Sequence, residues 1–273
     1  MNTRDTVTKL IPAVMGATAL AVAGQAQAQE EEDEEEFDEA RLYFELNHTD
    51  GDLGIHGFLD GDAWKSVDIT GPEPLERPLL NIWVRSKLRK QGLTELFFES
   101  DEPDFDELSP AQFFNRFPEG TYEITGKTLG GGEIESEVEL SHTLAGPPGN
   151  VMVNGEPAAE NCDAEDLPSI SPGDSITISW DAVTMSHPEL GNTGLPVTVD
   201  LYQVVGEFEF EEDDREFVMQ ADILPDSHAM FSFTFPTDFS NQAEEEFKFE
   251  IIMRLDNGNQ TAVESCVEIE EED

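Results

Sequence analysis

From Glu133 to Leu140 the chain reads Glu-Ile-Glu-Ser-Glu-Val-Glu-Leu, polar and apolar by strict turns. Only a strand whose two faces meet different surroundings uses a two-residue period, so this segment is a half-buried β-strand. Its outward row is Glu133, Glu135, Glu137 and Glu139, an acidic solvent face. The same alternation recurs at Leu42-Tyr-Phe-Glu-Leu46, Ser66-Val-Asp-Ile-Thr70 and Leu93–Glu99. A Pro-rich turn leads into a further strand over Leu79–Leu88, and Thr121–Thr125 is another. From Asn150 the predicted strands are Ser175–Asp181, Val197–Val205, Glu207–Phe210, Glu216–Ala221, Ala229–Phe235, Glu246–Leu255 and Ala262–Ile269. Seven short strands separated by turns in about 120 residues predict a sandwich.

One helix interrupts this pattern. Ser109 serves as N-cap, Pro110 stands at N1, and Gln112 closes a capping box. Leu108 and Phe113 form a hydrophobic staple, and Pro118 and Gly120 stop the helix near Phe117. Phe113, Phe114 and Phe117 are expected to plug one end of a sandwich rather than to face a ligand. Gly130-Gly-Gly132 joins two strands and reads as a hairpin turn, not a phosphate loop, because no helix follows it. The expected fold is all-β: two β-sandwich domains in tandem, the first carrying the short helix. The boundaries are a first domain over 40–144, a linker at Ala145-Gly-Pro-Pro-Gly149, and a second domain over 150–269.

The ends carry other information. Arg4 and Lys9 precede an apolar run, Ile11–Ala23, and Ala26-Gln-Ala28 fits a cleavage site, so 1–28 reads as a secretory signal. The apolar run is too short to span a membrane. An acidic leader over 29–39 and an acidic tail over 270–273 are expected to be disordered. The product is expected to be periplasmic or extracellular, without membrane insertion. There are 61 Asp and Glu against 14 Lys and Arg, a formal net charge of −47. Such a polyanion repels nucleic acid. Most of the acids lie within patterned segments, which points to a surface adapted to high salt, with a moderately acidic secreted protein carrying two acidic tails as the alternative. In an exported chain, the two cysteines Cys162 and Cys266 are expected to form a disulfide.

Asn47–Trp64 collects Asp50, Asp52, Asp60 and Asp62 around four glycines. Carboxylates on tight turns suit Ca²⁺, so these four residues are the candidate metal ligands, with two Asp-Gly hairpin turns as the alternative. His48 and His56 flank the first turn and supply the only argument for Zn²⁺. No serine stands in a nucleophile elbow. Arg77, Arg85, Lys87, Arg89 and Lys90 hold five of the 14 basic residues. Arg85, Lys87 and Arg89, expected on one strand face, form a possible patch for an acidic protein or glycan partner, or pair with the chain's own carboxylates.

Ile176-Thr-Ile-Ser-Trp-Asp-Ala-Val183 resembles strand B of a fibronectin type III domain, with its buried tryptophan at Trp180. Phe247–Ser265 resembles that family's strand F, loop and strand G, although Phe247 stands where the family usually carries tyrosine. The insertion Met185–Gly194 and the cysteine pair also depart from the common pattern. The stretches Thr49–Asp52, Gln91–Ser100 and Phe117–Tyr122 are similar to a region that precedes such modules in some exported bacterial proteins. The resemblance implies a fibronectin type III/immunoglobulin-like second domain and an interaction or scaffolding role without catalysis. The alternative is an enzyme, or an enzyme accessory module, acting on extracellular polysaccharide.

Overall fold

The computed structural model describes residues 35–72, 77–159, 161–162, 164, 167–210, 215–225, 229–237 and 246–270. The expected signal, the leader up to 34 and the tail from 271 lie outside them. The first half contains β1 (Glu35–Glu36), β2 (Glu39–Asn47), β3 (Asp52–Thr70), β4 (Pro78–Trp83), β5 (Leu93–Glu99), α1 (Pro110–Arg116), β6 (Gly120–Thr128) and β7 (Glu133–Leu140). The second half contains β8 (Met152–Val153), β9 (Glu156–Pro157), β10 (Ser169–Ile170), β11 (Ser175–Ser179) and β12 (Val199–Phe210). It ends with β13 (Arg215–Ile223), β14 (Met230–Thr234), β15 (Glu246–Leu255) and β16 (Gln260–Ile269). The protein is all-β with one short helix, and its apolar side chains gather into two cores.

The first core is wrapped by β3, a 19-residue strand that serves both layers. Its first part pairs with β2 and β5, and its second part with β4 and β6. Register shifts between Asp60 and Ser66 mark the bend. The second Asp-Gly turn, expected at Asp60-Gly61-Asp62, does not form: the chain there stays in strand conformation. Gly61 is needed for packing: a Cβ there would sit 3.2 Å from the Phe37 ring and 3.3 Å from Ile134. The expected disordered leader is likewise ordered from Glu35. Phe37, the one aromatic in that acidic run, is buried in the first core, and its amide donates to Ser136 Oγ at 3.2 Å.

α1 forms where its capping residues predict. Ser109 N donates to Gln112 Oε1 at 3.3 Å, and Leu108 and Phe113 are buried beneath it. Rings of Phe113, Phe114 and Phe117 pack on Phe44 at centroid distances of 5.7, 5.6 and 6.5 Å. Tyr122 Oη donates to Pro118 O at 3.0 Å, the tyrosine-corner bond of immunoglobulin-like sandwiches. Burial pushes that phenol up to about 12. In the other half, Phe247 stands where the fibronectin type III resemblance would put a tyrosine, and it has no hydroxyl to make such a bond.

The second core lies between a sheet of β14, β11, β8 and β9 and a sheet of β13, β12, β15 and β16. The two strands expected at Val197–Val205 and Glu207–Phe210 are one strand, β12. Gly206 lies inside it because a Cβ there would meet the Phe247 ring at 2.5 Å. Trp180 and Tyr202 meet edge-on in this core, 5.4 Å apart. β16 then pairs in parallel with β2, Gln260 opposite Glu45 and Ala262 opposite Asn47. One hydrogen-bonded sheet therefore runs through both halves, and residues from Glu34 onward form one compact unit. Within the expected linker, Ala145, Gly146 and Pro148 are buried and Gly149 is exposed.

Candidate functional site

The metal-ligand expectation can be checked against strand register. Asn47 pairs with Asp52, and Glu39 pairs with Asp60, at opposite ends of one antiparallel ladder. At about 3.3 Å per residue, Asp52 and Asp60 stand roughly 26 Å apart. The four carboxylates Asp50, Asp52, Asp60 and Asp62 do not converge on one point. The first turn does form: Gly51 has φ 74°, and its N–H donates to Asn47 O at 2.8 Å.

A different set gathers beside it. Tyr43, His56 and Glu99 are laterally paired across β2, β3 and β5, so they share the outer face of that sheet. His56 is only 4% exposed, and its Nε2 lies 3.0 Å from Glu102 Oε1. Its Nδ1 lies 4.0 Å from Glu45 Oε2. Asn47 Nδ2 donates to Asp52 Oδ1 at 2.8 Å and to Glu102 Oε2 at 3.0 Å. Gly54 provides the room, since a Cβ there would collide with the Glu102 carboxylate. With its amide oriented to suit both neighbours, Gln260 donates to Glu45 Oε2 at 2.9 Å and accepts from Arg254 Nε at 3.2 Å. This polar chain thus runs from the second half into the first.

Burial works against the charge of His56. The Glu102 hydrogen bond and the carboxylates of Glu45, Glu102 and Glu99 outweigh it, and the imidazole pKa is raised. Burial raises Glu45, partly opposed by His56. Burial also raises Asp52 against the Asn47 hydrogen bond, with Glu102, Asp50 and Asp104 adding to the rise. As imidazolium, His56 is the counter-charge of this cluster. As free imidazole, it offers a nitrogen within 4.8 Å of ligand oxygens from Glu99 and Glu102, a set of one nitrogen and two carboxylates that suits a divalent ion. Nothing local in the sequence marks Glu99 and Glu102 as partners of His56, because β5 and the loop after it bring them there.

His48, expected beside His56, turns to the opposite half. His187 Nδ1 accepts from the amides of Glu189 and Leu190, at 3.2 and 3.0 Å. That leaves its Nε2–H to donate to His48 Nδ1 at 3.2 Å. Burial lowers the pKa of both rings, and for His187 the neighbouring His48 adds to the effect. A 570 Å³ hollow opens beside this pair, at the junction of the halves. Its polar lining is engaged in structure: Thr49 Oγ1 accepts from Glu264 N at 3.0 Å, and Ser265 Oγ donates to Ala159 O at 2.6 Å. The Glu264 carboxylate meets the Lys248 ammonium.

Cys162 and Cys266 are joined as a disulfide, Cα atoms 5.0 Å apart. The basic residues are arranged differently from expectation. β4 ends at Trp83, Ser86 turns the chain with φ 56°, and Leu88–Lys90 form a 3₁₀ turn. Arg85, Lys87 and Arg89 are therefore exposed on a loop and a turn, not on alternate positions of one strand.

Two sandwich-like units with their layers fused through β2 and β16 define an all-β class of protein. No family model matches the chain, and no curated protein matches it. Among solved structures it is similar to a 1.5-MDa bacterial ice-binding adhesin, at 11% identity over 87% of this chain and 66% of that one, with TM-score 0.25. It is also similar to a tetra-tandem repeat from the extending region of a large adhesion protein, at 12% identity over 85% and 50%, with TM-score 0.28. The FN1–FN3 domains of chicken CNTN1 match at 9% identity over 86% and 65%, with TM-score 0.30. The chain spans 66% of the adhesin chain and half of the tandem-repeat chain. Likeness at this level carries no inference about function. No helix among the described residues is long and apolar enough to cross a membrane.

Proposed function

We propose that this is an exported, non-catalytic binding protein, two sandwich modules held as one body that presents its outer faces to a partner. The observation that carries this reading is the junction hollow. An enzyme acting between the modules needs free convergent groups there. His48 and Thr49 instead bridge to the second module, through His187 and the Glu264 amide, and the Glu264 carboxylate and Ser265 hydroxyl are taken up by Lys248 and Ala159 within that module. The second module is, in this reading, of fibronectin type III type. β8, β11 and β14 take the places of strands A, B and E, and β12, β15 and β16 those of C, F and G.

Export is tested by expressing the full chain in a Gram-negative host and sequencing the N-terminus of the periplasmic product. A start at Gln29 is expected, and a cytoplasmic product retaining Met1 would contradict the reading. The purified product should release no reducing ends from soluble polysaccharides. Release that disappears in Glu264→Gln would establish the enzyme alternative instead.

A further inference from the structure

In a chain with a formal charge of −47 and only 14 Lys and Arg, four cations within the six positions Arg85–Lys90 stand out. Among the described residues, the Lys and Arg ion pairs are those of Arg41, Lys127 and Lys248. Arg85, Lys87, Arg89 and Lys90 are exposed and stand outside them. Beside them, at the end of β4, Trp83 is 56% exposed. Ser66 pairs with Trp83 on one side and with Lys127 on the other, so the three side chains form one row on one face. Lys65, Ser66, Trp83, Arg89, Lys127 and Gly131 line a 170 Å³ hollow. The left-handed Ser86 turn folds the chain back so that Arg89 reaches it. Strained non-glycine residues of this kind recur at ligand-binding sites.

We propose that this hollow is a subsite for an acidic polysaccharide. One anionic sugar ring stacks its C–H face on Trp83, and Arg89 and Lys65 hold its carboxylate or sulfate. Arg85, Lys87 and Lys90 follow the neighbouring sugars. The proposal rests on the binding-protein reading and names its ligand class. An aromatic ring offers an apolar face, while guanidinium and ammonium groups supply charge-assisted hydrogen bonds. The overall acidity does not defeat this local attraction, because at physiological salt charges beyond about 8 Å are largely screened. An acidic peptide would satisfy the cations but leave the aromatic wall of a one-ring hollow unused.

The test titrates the mature chain with oligogalacturonate and with a sulfated hexasaccharide, against neutral cellohexaose and a poly-glutamate peptide, by calorimetry and tryptophan fluorescence. At least one anionic sugar should bind, more weakly at higher salt. Trp83→Ala should weaken it at least tenfold and Arg89→Ala severalfold, with unchanged melting since both residues are exposed. Three outcomes would overturn the proposal: neither anionic sugar binds, cellohexaose or poly-glutamate binds equally well, or Trp83→Ala binds as well as the wild type. None of these bears on where the chain is exported or whether it cleaves glycans.

Discussion

The amide of Phe44 donates to Oδ1 of Asn259 at 2.9 Å, across 215 positions of sequence. Asn259 Nδ2 donates in turn to Ser141 O at 2.7 Å and to Thr143 O at 2.9 Å. Asn257 supports it, accepting from Asn259 N and donating to Thr143 O, each at 3.0 Å. A residue of the second module, 1% exposed, thus satisfies backbone groups of β2 and of the segment that follows β7 in the first.

Asn259→Ala leaves the Phe44 amide and the Ser141 carbonyl without this partner, whereas Thr143 O keeps Asn257. At about 1–3 kcal/mol for each buried group left unsatisfied, the expected loss is about 3 kcal/mol. Urea unfolding measures it, and a loss below about 1 kcal/mol would show that water or relaxation replaces the amide.

His56 predicts a pH dependence of definite sign. Its folded pKa lies above its unfolded value of about 6.5, so the folded state holds the proton more tightly. The contribution is full below about pH 6.5 and is lost as the pH rises through the folded value. The stability difference between wild type and His56→Gln should therefore be largest near pH 5.5 and shrink towards pH 8.5. A difference that widens with pH would be inconsistent with the imidazolium as counter-charge.

Cys162 and Cys266 lie 104 positions apart, and cross-linking a loop of that length is worth up to about 4.7 kcal/mol in the chain-entropy treatment. Cys162→Ser should lower stability by a large part of that amount. Thiol titration of the unfolded, unreduced mature protein should find no free thiol; two would refute the bond.

The charge predicts a response to salt. Carboxylates within a Debye length repel one another, and added ions weaken that repulsion. The melting midpoint should be higher in about 2 M KCl than in about 0.1 M. An unchanged or lower midpoint would count against adaptation to salt.

Alternation and turn chemistry were enough to locate most strands, α1 with its cap, and the two cores, because those signals are local. Glycine misled twice. Gly61 and Gly206 read as breaks, but each sits within a strand where a Cβ would strike an aromatic ring, Phe37 or Phe247. That requirement comes from residues far along the chain. The insertion Met185–Gly194 was visible only as a departure from the family pattern. In the structure it clamps the first module: His187 N donates to Leu144 O at 2.8 Å, and Asn192 N to His142 O at 3.0 Å. Gly191, at φ 62°, lies so close to His142 O that no side chain fits. The candidate site followed the same rule. His56 stands beside an Asp-rich turn in the sequence, but Glu99 and Glu102 reach it, and Gln260 reaches its neighbour Glu45, only through sheet register and tertiary packing.

Scanning calorimetry of the mature chain is the most direct test of the claim that the two modules form one body. The continuous sheet and the Asn259 bonds predict a single transition with calorimetric and van't Hoff enthalpies in agreement, and Asn259→Ala should move that whole transition to lower temperature. Two separate transitions in the wild type, with only one shifted by Asn259→Ala, would mean two independent domains on a tether and would contradict it.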